Sequence, residues 1–160
     1  MKKCYKTLEY DNLTGIVHNG FAYAFNYDAF GNVSDVSVAG KQAVRYEYDK
    51  QNRIHMVYFK DAADSKEQNL YRYAYDKQGN IYAVKSYEAE KTYYLFYDFL
   101  DRLVRVRDEL GSTYEYAYDL GGNLTVEKEY AFTTAETLPD TSVKTMTGTY
   151  DSAWKDKLLS

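Results

Sequence analysis

The sequence predicts an all-β protein: tandem antiparallel β-hairpins laid side by side in one long, twisted, curling sheet. Three observations carry that prediction. Apolar and polar residues alternate with a period of two through stretch after stretch, which puts successive side chains on opposite faces of a strand. Twenty of the 160 residues are tyrosine, against seven Phe and one Trp, and a flat ring suits a pleated, half-buried surface. Between the alternating stretches one phrase recurs: Tyr-Asp, then Gly, Asn or Asp three residues after the Asp. No amphipathic helix of convincing length interrupts the pattern.

In chain order, residues 1–18 are poorly patterned and read as a degenerate repeat or edge segment, with Tyr10-Asp11 opening a worn turn. Asn19-Gly20 is a turn dipeptide. Residues 19–132 then hold five repeats. In the first, Phe21, Tyr23, Phe25 and Tyr27 share a face, the chain turns at Asp28-Ala29-Phe30-Gly31, and Val36 and Val38 return. In the second, Val44, Tyr46 and Tyr48 alternate with Arg45, Glu47 and Asp49, and Ile54, Val57 and Phe59 return. Residues 61–68 are polar and read as an inserted loop, with a helical turn over 62–67 that has no apolar face to dock. The third repeat carries Tyr71, Tyr73 and Tyr75, then Tyr82 and Val84. The fourth has Tyr93, Leu95 and Tyr97 on one face and Tyr94 and Phe96 on the other, the signature of a strand buried on both sides. Leu103 to Arg107 return, and Gly111 leads to the fifth repeat, with Tyr114, Tyr116 and Tyr118, then Leu124, Val126, Tyr130 and Phe132. Residues 133–142, with the single proline Pro139, read as a loop or linker. Residues 143–160 form a partial terminal repeat that includes a Thr-rich strand.

The repeat has a period. The Tyr of each Tyr-Asp pair falls at 27, 48, 75, 97, 118 and 150, with gaps of 21, 27, 22, 21 and 32. The long gaps coincide with the polar insertions, leaving a unit of about 21 residues. At about 4.8 Å per strand, about twelve strands make a sheet nearly 60 Å across, and open sheets of that width curl.

The recurring residues have turn chemistry. Asp28, Asp49, Asp76, Asp98 and Asp119 stand where a carboxylate accepts the N–H groups that a type I turn leaves free. Gly31, Gly79 and Gly122 occupy the position that must turn left-handed. Asn52 and Asp101 replace them, and Asn and Asp are the other residues that tolerate that conformation. The pattern predicts a hairpin of about four loop residues with one left-handed residue. Trp154 holds that position in the last copy, which predicts a different turn there. Tyr27, Tyr48, Tyr75, Tyr97 and Tyr118 lie at equivalent depth. Cross-strand aromatic pairs would add roughly 0.2–1 kcal/mol each. The same rings are candidates for stacking on the C–H faces of a saccharide, with sheet packing the favoured use.

Chemistry of other kinds finds little support. A formal net charge of -4 and a pI near 5.2 argue against nucleic acid and anionic membranes as partners. No apolar run approaches the roughly 18–20 residues that span a bilayer. Met1-Lys2-Lys3-Cys4 is not followed by a hydrophobic stretch, so no signal peptide is read. Cys4 is the single cysteine, forms no internal disulfide and has no nearby His partner for a nucleophile. His18 and His55 lack ligand-spaced neighbours. No cofactor, metal or catalytic constellation is expected. Arg102, Arg105 and Arg107 read as one solvated face. The length suffices for one domain with a hydrophobic core.

The motifs at Tyr27–Val33, Tyr46–Ile54, Tyr73–Ile81, Tyr97–Leu103 and Tyr116–Leu124 resemble the YD-repeat, or Rhs repeat, family. Its unit reads approximately Tyr-x-Tyr-Asp-x-x-Gly-Asn/Arg-Leu/Ile, and residues 150–159 resemble a unit ending in Trp-x-Asp-x-Leu. The family includes bacterial Rhs and wall-associated proteins, shell-forming C components of insecticidal toxin complexes, and animal teneurins. The resemblance implies a β-strip that spirals into a hollow shell, which in toxin members encloses a toxin domain and is sealed by self-cleavage near an Asp-Pro motif. This sequence contains no Asp-Pro pair, so self-cleavage and toxin activity are not carried over. The expectation is a structural segment of a larger secreted or cell-surface Rhs-type protein, extracellular through its parent and without catalysis. The alternative is an adhesion module that binds carbohydrate or protein through the tyrosine-rich face. Partners would be the rest of a larger chain, or another copy through unpaired sheet edges.

Overall fold

The computed structural model describes residues 5–9, 12–60, 66–151, 153–154 and 157–159. The described residues contain thirteen strands and no helix. Their order in the sheet follows the sequence, open rather than closed into a barrel, and every register described is antiparallel. The chain divides into two compact units, Met1–Tyr73 and Ala74–Ser160.

The first unit contains β1 (Tyr5–Glu9), β2 (Asn12–His18), β3 (Phe21–Tyr27), β4 (Val33–Val38), β5 (Lys41–Tyr48), β6 (Ile54–Lys60) and most of β7 (Glu67–Tyr75). The register sorts its side chains by chemistry. Phe25, Val36, Val44 and Phe59 are successive partners across four strands, and Tyr46, Val57 and Tyr71 follow on the same face. The opposite face runs Asn26, Asp35, Arg45 and Tyr58. There Asn26 Nδ2 donates to Asp35 Oδ1 at 2.8 Å. Arg45 reaches Glu67 through Nε and Nη2 at 2.9 and 2.7 Å and Glu47 through Nη1 at 2.8 Å. Its guanidinium lies 3.8 Å from the centre of the Tyr58 ring. One face is therefore aromatic and β-branched, and the other is a hydrogen-bonded network of charges.

The second unit contains the end of β7, β8 (Ile81–Ser86), β9 (Lys91–Tyr97), β10 (Leu103–Asp108), β11 (Ser112–Tyr118), β12 (Leu124–Ala131) and β13 (Lys144–Thr147). Leu95, Val106 and Tyr114 pair on one face, and Phe96, Arg105, Glu115 and Lys128 on the other. Tyr150 and Leu158 add a short terminal pairing.

Several expectations are corrected. An ordinary hydrophobic core does not form: among the described residues the buried apolar side chains are Val57 and Tyr130, at 8% and 4% exposure. Within each unit the strands follow one another in one sheet, and no second sheet of that unit seals its faces. The fourth-repeat strand is covered on one side only, since Tyr94 and Phe96 remain 40% and 38% exposed. Arg105 and Arg107 are not a solvated face. Segment 133–136 folds back over them, with Arg107 Nη2 donating to Ala135 O at 2.7 Å and Arg105 Nη1 to Glu136 O at 2.9 Å. Thr133 docks on Thr113, its N–H donating to Thr113 Oγ1 at 3.2 Å, and Thr113 is fully buried. Residues read as an inserted loop contribute Glu67 and Gln68 to β7, while 61–65 lie outside the described residues, as do Cys4, Tyr10 and Asp11.

Candidate functional site: the hairpin joint

The repeated residues meet at two kinds of contact, one closing each hairpin and one joining it to its neighbour. In the first repeat, Asp28 N donates to Asn32 O at 2.8 Å and Gly31 N to Asp28 O at 3.1 Å. The same pair of bonds recurs at Asp49, Asp76, Asp98 and Asp119. The loop between the bonded pair is therefore one residue shorter than expected, a type I turn followed by a left-handed residue. That residue has φ of 84° at Gly31, 65° at Asn52, 100° at Gly79, 58° at Asp101 and 90° at Gly122.

Each aspartate holds its turn from inside. Asp28 Oδ1 accepts the N–H groups of Phe30 and Asn32 at 2.8 and 2.9 Å. Asp49 does so for Gln51 and Arg53 at 2.9 and 3.0 Å, Asp98 for Leu100 and Arg102 at 2.9 and 3.0 Å, and Asp76 for Gly79 and Asn80, both at 2.8 Å. Asp119 Oδ1 accepts from Asn123 N at 2.9 Å. The second oxygen takes a side chain: Asn32 Nδ2 at Asp28, Arg53 Nε at Asp49, Arg102 Nε at Asp98 and Asn123 Nδ2 at Asp119, between 2.8 and 3.0 Å. Donors aimed at a carboxylate favour its ionised form. The side-chain amides of Asn32 and Asn123 hold Asp28 and Asp119 below the ordinary carboxylate range, and the Arg53 guanidinium does the same at Asp49. At Asp98 desolvation pushes upward, but the N–H and guanidinium of Arg102 outweigh it.

The tyrosines supply the second contact. Tyr27 OH donates to Leu13 O at 2.8 Å, Tyr48 OH to Val33 O at 2.8 Å, Tyr97 OH to Ile81 O at 2.9 Å and Tyr118 OH to Leu103 O at 2.7 Å. Each acceptor belongs to the return strand of the preceding hairpin, at or near its first residue. Tyr150 repeats the contact on Leu124 O at 2.9 Å. Partial burial of Tyr48, Tyr97 and Tyr118 pushes their phenols above the ordinary value. The expected ring-on-ring ladder is replaced by this bond: among the described residues the aromatic ring pair is Tyr71–Tyr73, neighbours on one strand.

Beside the turns at Asp28, Asp49, Asp98 and Asp119 the register slips by one residue. Tyr27 pairs Val33 while Asn26 pairs Asp35, and the same slip follows Tyr48, Tyr97 and Tyr118. The extra residues Ser34, His55, Val104 and Thr125 form β-bulges, which twist a strand locally. The last turn differs: Asp151 N bonds Lys157 O at 2.9 Å, two residues further along than elsewhere, and Asp151 Oδ1 caps Ala153 and Trp154 at 2.9 and 2.8 Å. Trp154 does not take the left-handed conformation. Among the described residues no His, Cys, Asp and Glu side chains group to hold a metal.

Sequence reasoning missed the hydroxyl bond, although a signal for it exists. Two residues earlier on the same face the residues vary, as Phe25, Tyr46, Tyr73, Leu95 and Tyr116, whereas the position before Asp is Tyr in all five repeats. An aromatic face alone would accept Phe there. The bulges left no mark in the alternation.

The teneurin YD-shell family model matches residues 5–145. The chain belongs to that family. Among solved structures, the TcdB2-TccC3 crystal structure aligns with a TM-score of 0.66 at 20% identity, over 82% of this chain and 7% of that one. The TcdB2-TccC3-Cdc42 structure aligns with 0.56 at 16% identity, over 96% and 10%. The Photorhabdus luminescens Tc holotoxin pore aligns with 0.53 at 17%, over 92% and 10%. At these identities the likeness is one of fold, and the chain spans about a tenth or less of those chains. No curated protein matches.

Proposed function

We propose that this chain is a structural strip of YD-repeat sheet, a stretch of the wall of a larger Rhs-type shell protein that is secreted or carried at the cell surface, with no catalysis of its own. The observation that carries the reading is where the repeated polar atoms point. The carboxylates of Asp28, Asp49, Asp98 and Asp119 are turned into their own hairpins. The hydroxyls of Tyr27, Tyr48, Tyr97 and Tyr118 are turned into the neighbouring one. Groups used in this way tie each turn to itself and each hairpin to the one before it. The membership of the YD-shell family supports the same reading. The rest of the wall, or a second copy, would pair with the outer strand of the sheet.

The test is a calorimetric titration of the folded chain with cell-wall and host-type saccharides, with the Tyr97→Ala variant in parallel. A structural strip gives no binding heat with either form. Saturable binding that Tyr97→Ala abolishes while the circular dichroism stays native would replace this reading with an adhesion module.

A further inference from the structure

The tyrosine hydroxyls bind main-chain carbonyls, so they hold a neighbouring hairpin whatever its sequence. The turn side chains are different, because they touch the side chains of the next turn. In the first unit Asn32 and Asn52 form a reciprocal amide pair: Asn32 Nδ2 donates to Asn52 Oδ1, and Asn52 Nδ2 donates back to Asn32 Oδ1 at 3.0 Å. In the second unit Asn80 Nδ2 donates to Asp101 Oδ1 at 2.7 Å. In both, the donor follows the left-handed glycine of one turn, and the partner is itself the left-handed residue of the next. Where the next turn carries Gly122 instead, there is no side chain to meet. The residue reaching across is then Arg102, whose Nη1 donates to the main-chain carbonyl of Asp119 at 3.2 Å.

We propose that these two turn positions form a recognition pair that decides which hairpin lies beside which. An asparagine after the left-handed residue reads an Asn or Asp at the left-handed position of the following turn. An arginine there reads a glycine turn through its backbone. Successive turns on this rim are two strands apart, about 9–10 Å. A short amide therefore needs a side chain coming to meet it, and the longer guanidinium does not.

The pairing accounts for two facts that turn chemistry alone leaves open. Asn52 and Asp101 hold φ of 65° and 58°, where glycine is at least as comfortable. Glycine is also not required for space, since a Cβ built on Gly31, Gly79 or Gly122 meets nothing within 4 Å. The choice of residue at this position thus follows the neighbouring turn rather than its own.

The experiment uses the whole chain and compares Asn32→Ala, Asn52→Gly, their double variant and the exchange Asn32→Arg with Asn52→Gly, by thermal unfolding and by NMR of the side-chain amides. Asn52→Gly lowers the unfolding midpoint by about 2–4 °C, and adding Asn32→Ala lowers it little further. The exchange to the Arg–Gly pair recovers most of the loss. The Asn32 amide protons lose their exchange protection in Asn52→Gly. If Asn52→Gly is as stable as the native chain, if the two single losses add, or if the exchange stays at the Asn52→Gly midpoint, the code is wrong. Should the Asn52 variants fail to fold, Arg102→Asn with Gly122→Asn decides the matter: it must be more stable than Arg102→Asn alone, and equal midpoints overturn the proposal.

Discussion

Tyr97 shows how one atom separates this sheet from a generic aromatic one. Its ring sits on the half-buried face and its hydroxyl donates to Ile81 O at 2.9 Å. Tyr97→Phe keeps the ring and removes the donor, so it should cost about 1 kcal/mol in urea unfolding, whereas Tyr94→Phe on the exposed face should be near neutral. Gly79 tests the backbone instead. Its φ is 100° and a Cβ there meets no atom within 4 Å, so any penalty is conformational. Gly79→Val should lose about 1–3 kcal/mol and Gly79→Asn clearly less, because Asn tolerates left-handed backbone. Chemical denaturation of the two variants side by side checks the order. This residue-level turn chemistry was legible in the sequence, because the exchange of Gly with Asn and Asp names the conformation. The acceptor of the tyrosine hydroxyl was not, because it is a carbonyl in another hairpin.

At the scale of the element, the hairpins have unlike ends. The Tyr-Asp end is closed by a repeated turn, and the opposite ends vary, with two-residue left-handed turns at Asn19-Gly20 and Ala39-Gly40 and a different turn at Asp108–Gly111. Between β10 and β11, Asp108 is nearly buried, receives Lys91 Nζ at 2.6 Å and accepts from Leu110 N at 3.2 Å. A Cβ on Gly111 would stand 2.7 Å from Asp108 Oδ2. The short aspartate side chain is held by its lysine and cannot yield freely. Gly111→Ala should therefore destabilise the native chain by about 1 kcal/mol or more, and do so much less in an Asp108→Ala background. A double-mutant cycle reads the coupling directly. The sequence marked Gly111 as a turn residue. That its lack of a side chain makes room for an ion pair depends on Lys91, which the register brings across from β9.

Across the molecule, a sheet whose described residues bury few apolar side chains leans on its polar joints, and those joints titrate. Asp28, Asp49, Asp98 and Asp119 are depressed. Their contribution is present above the unfolded carboxylate value, about 3.9, and is lost as pH falls through the lower folded values. Glu47 and Glu67, held down chiefly by hydrogen bonds from Arg45, act in the same sense. Tyr48, Tyr97 and Tyr118 are raised. Their contribution is complete below the unfolded phenol value, about 10, and is lost as pH rises through the folded values. The unfolding midpoint should thus be flat between about pH 5 and 9 and fall on both sides, with the alkaline fall accompanied by phenolate absorbance. Circular dichroism melts across the range check it, and a midpoint that declines steadily through neutrality would contradict it.

The hairpins and their turns are legible in the sequence alone. The turns rest on bonds that span three or four residues, where alternation, Tyr-Asp and a left-handed residue leave direct marks. The tertiary structure alone decided what joins one hairpin to the next and what becomes of each face. The Tyr118 hydroxyl finds Leu103 O, Asn32 finds Asn52, and segment 133–136 is clasped by Arg105 and Arg107. Each of these bonds links one hairpin or segment to another. Its donor is visible in the sequence, but its acceptor is fixed only once strand register and bulges have set which atoms face each other.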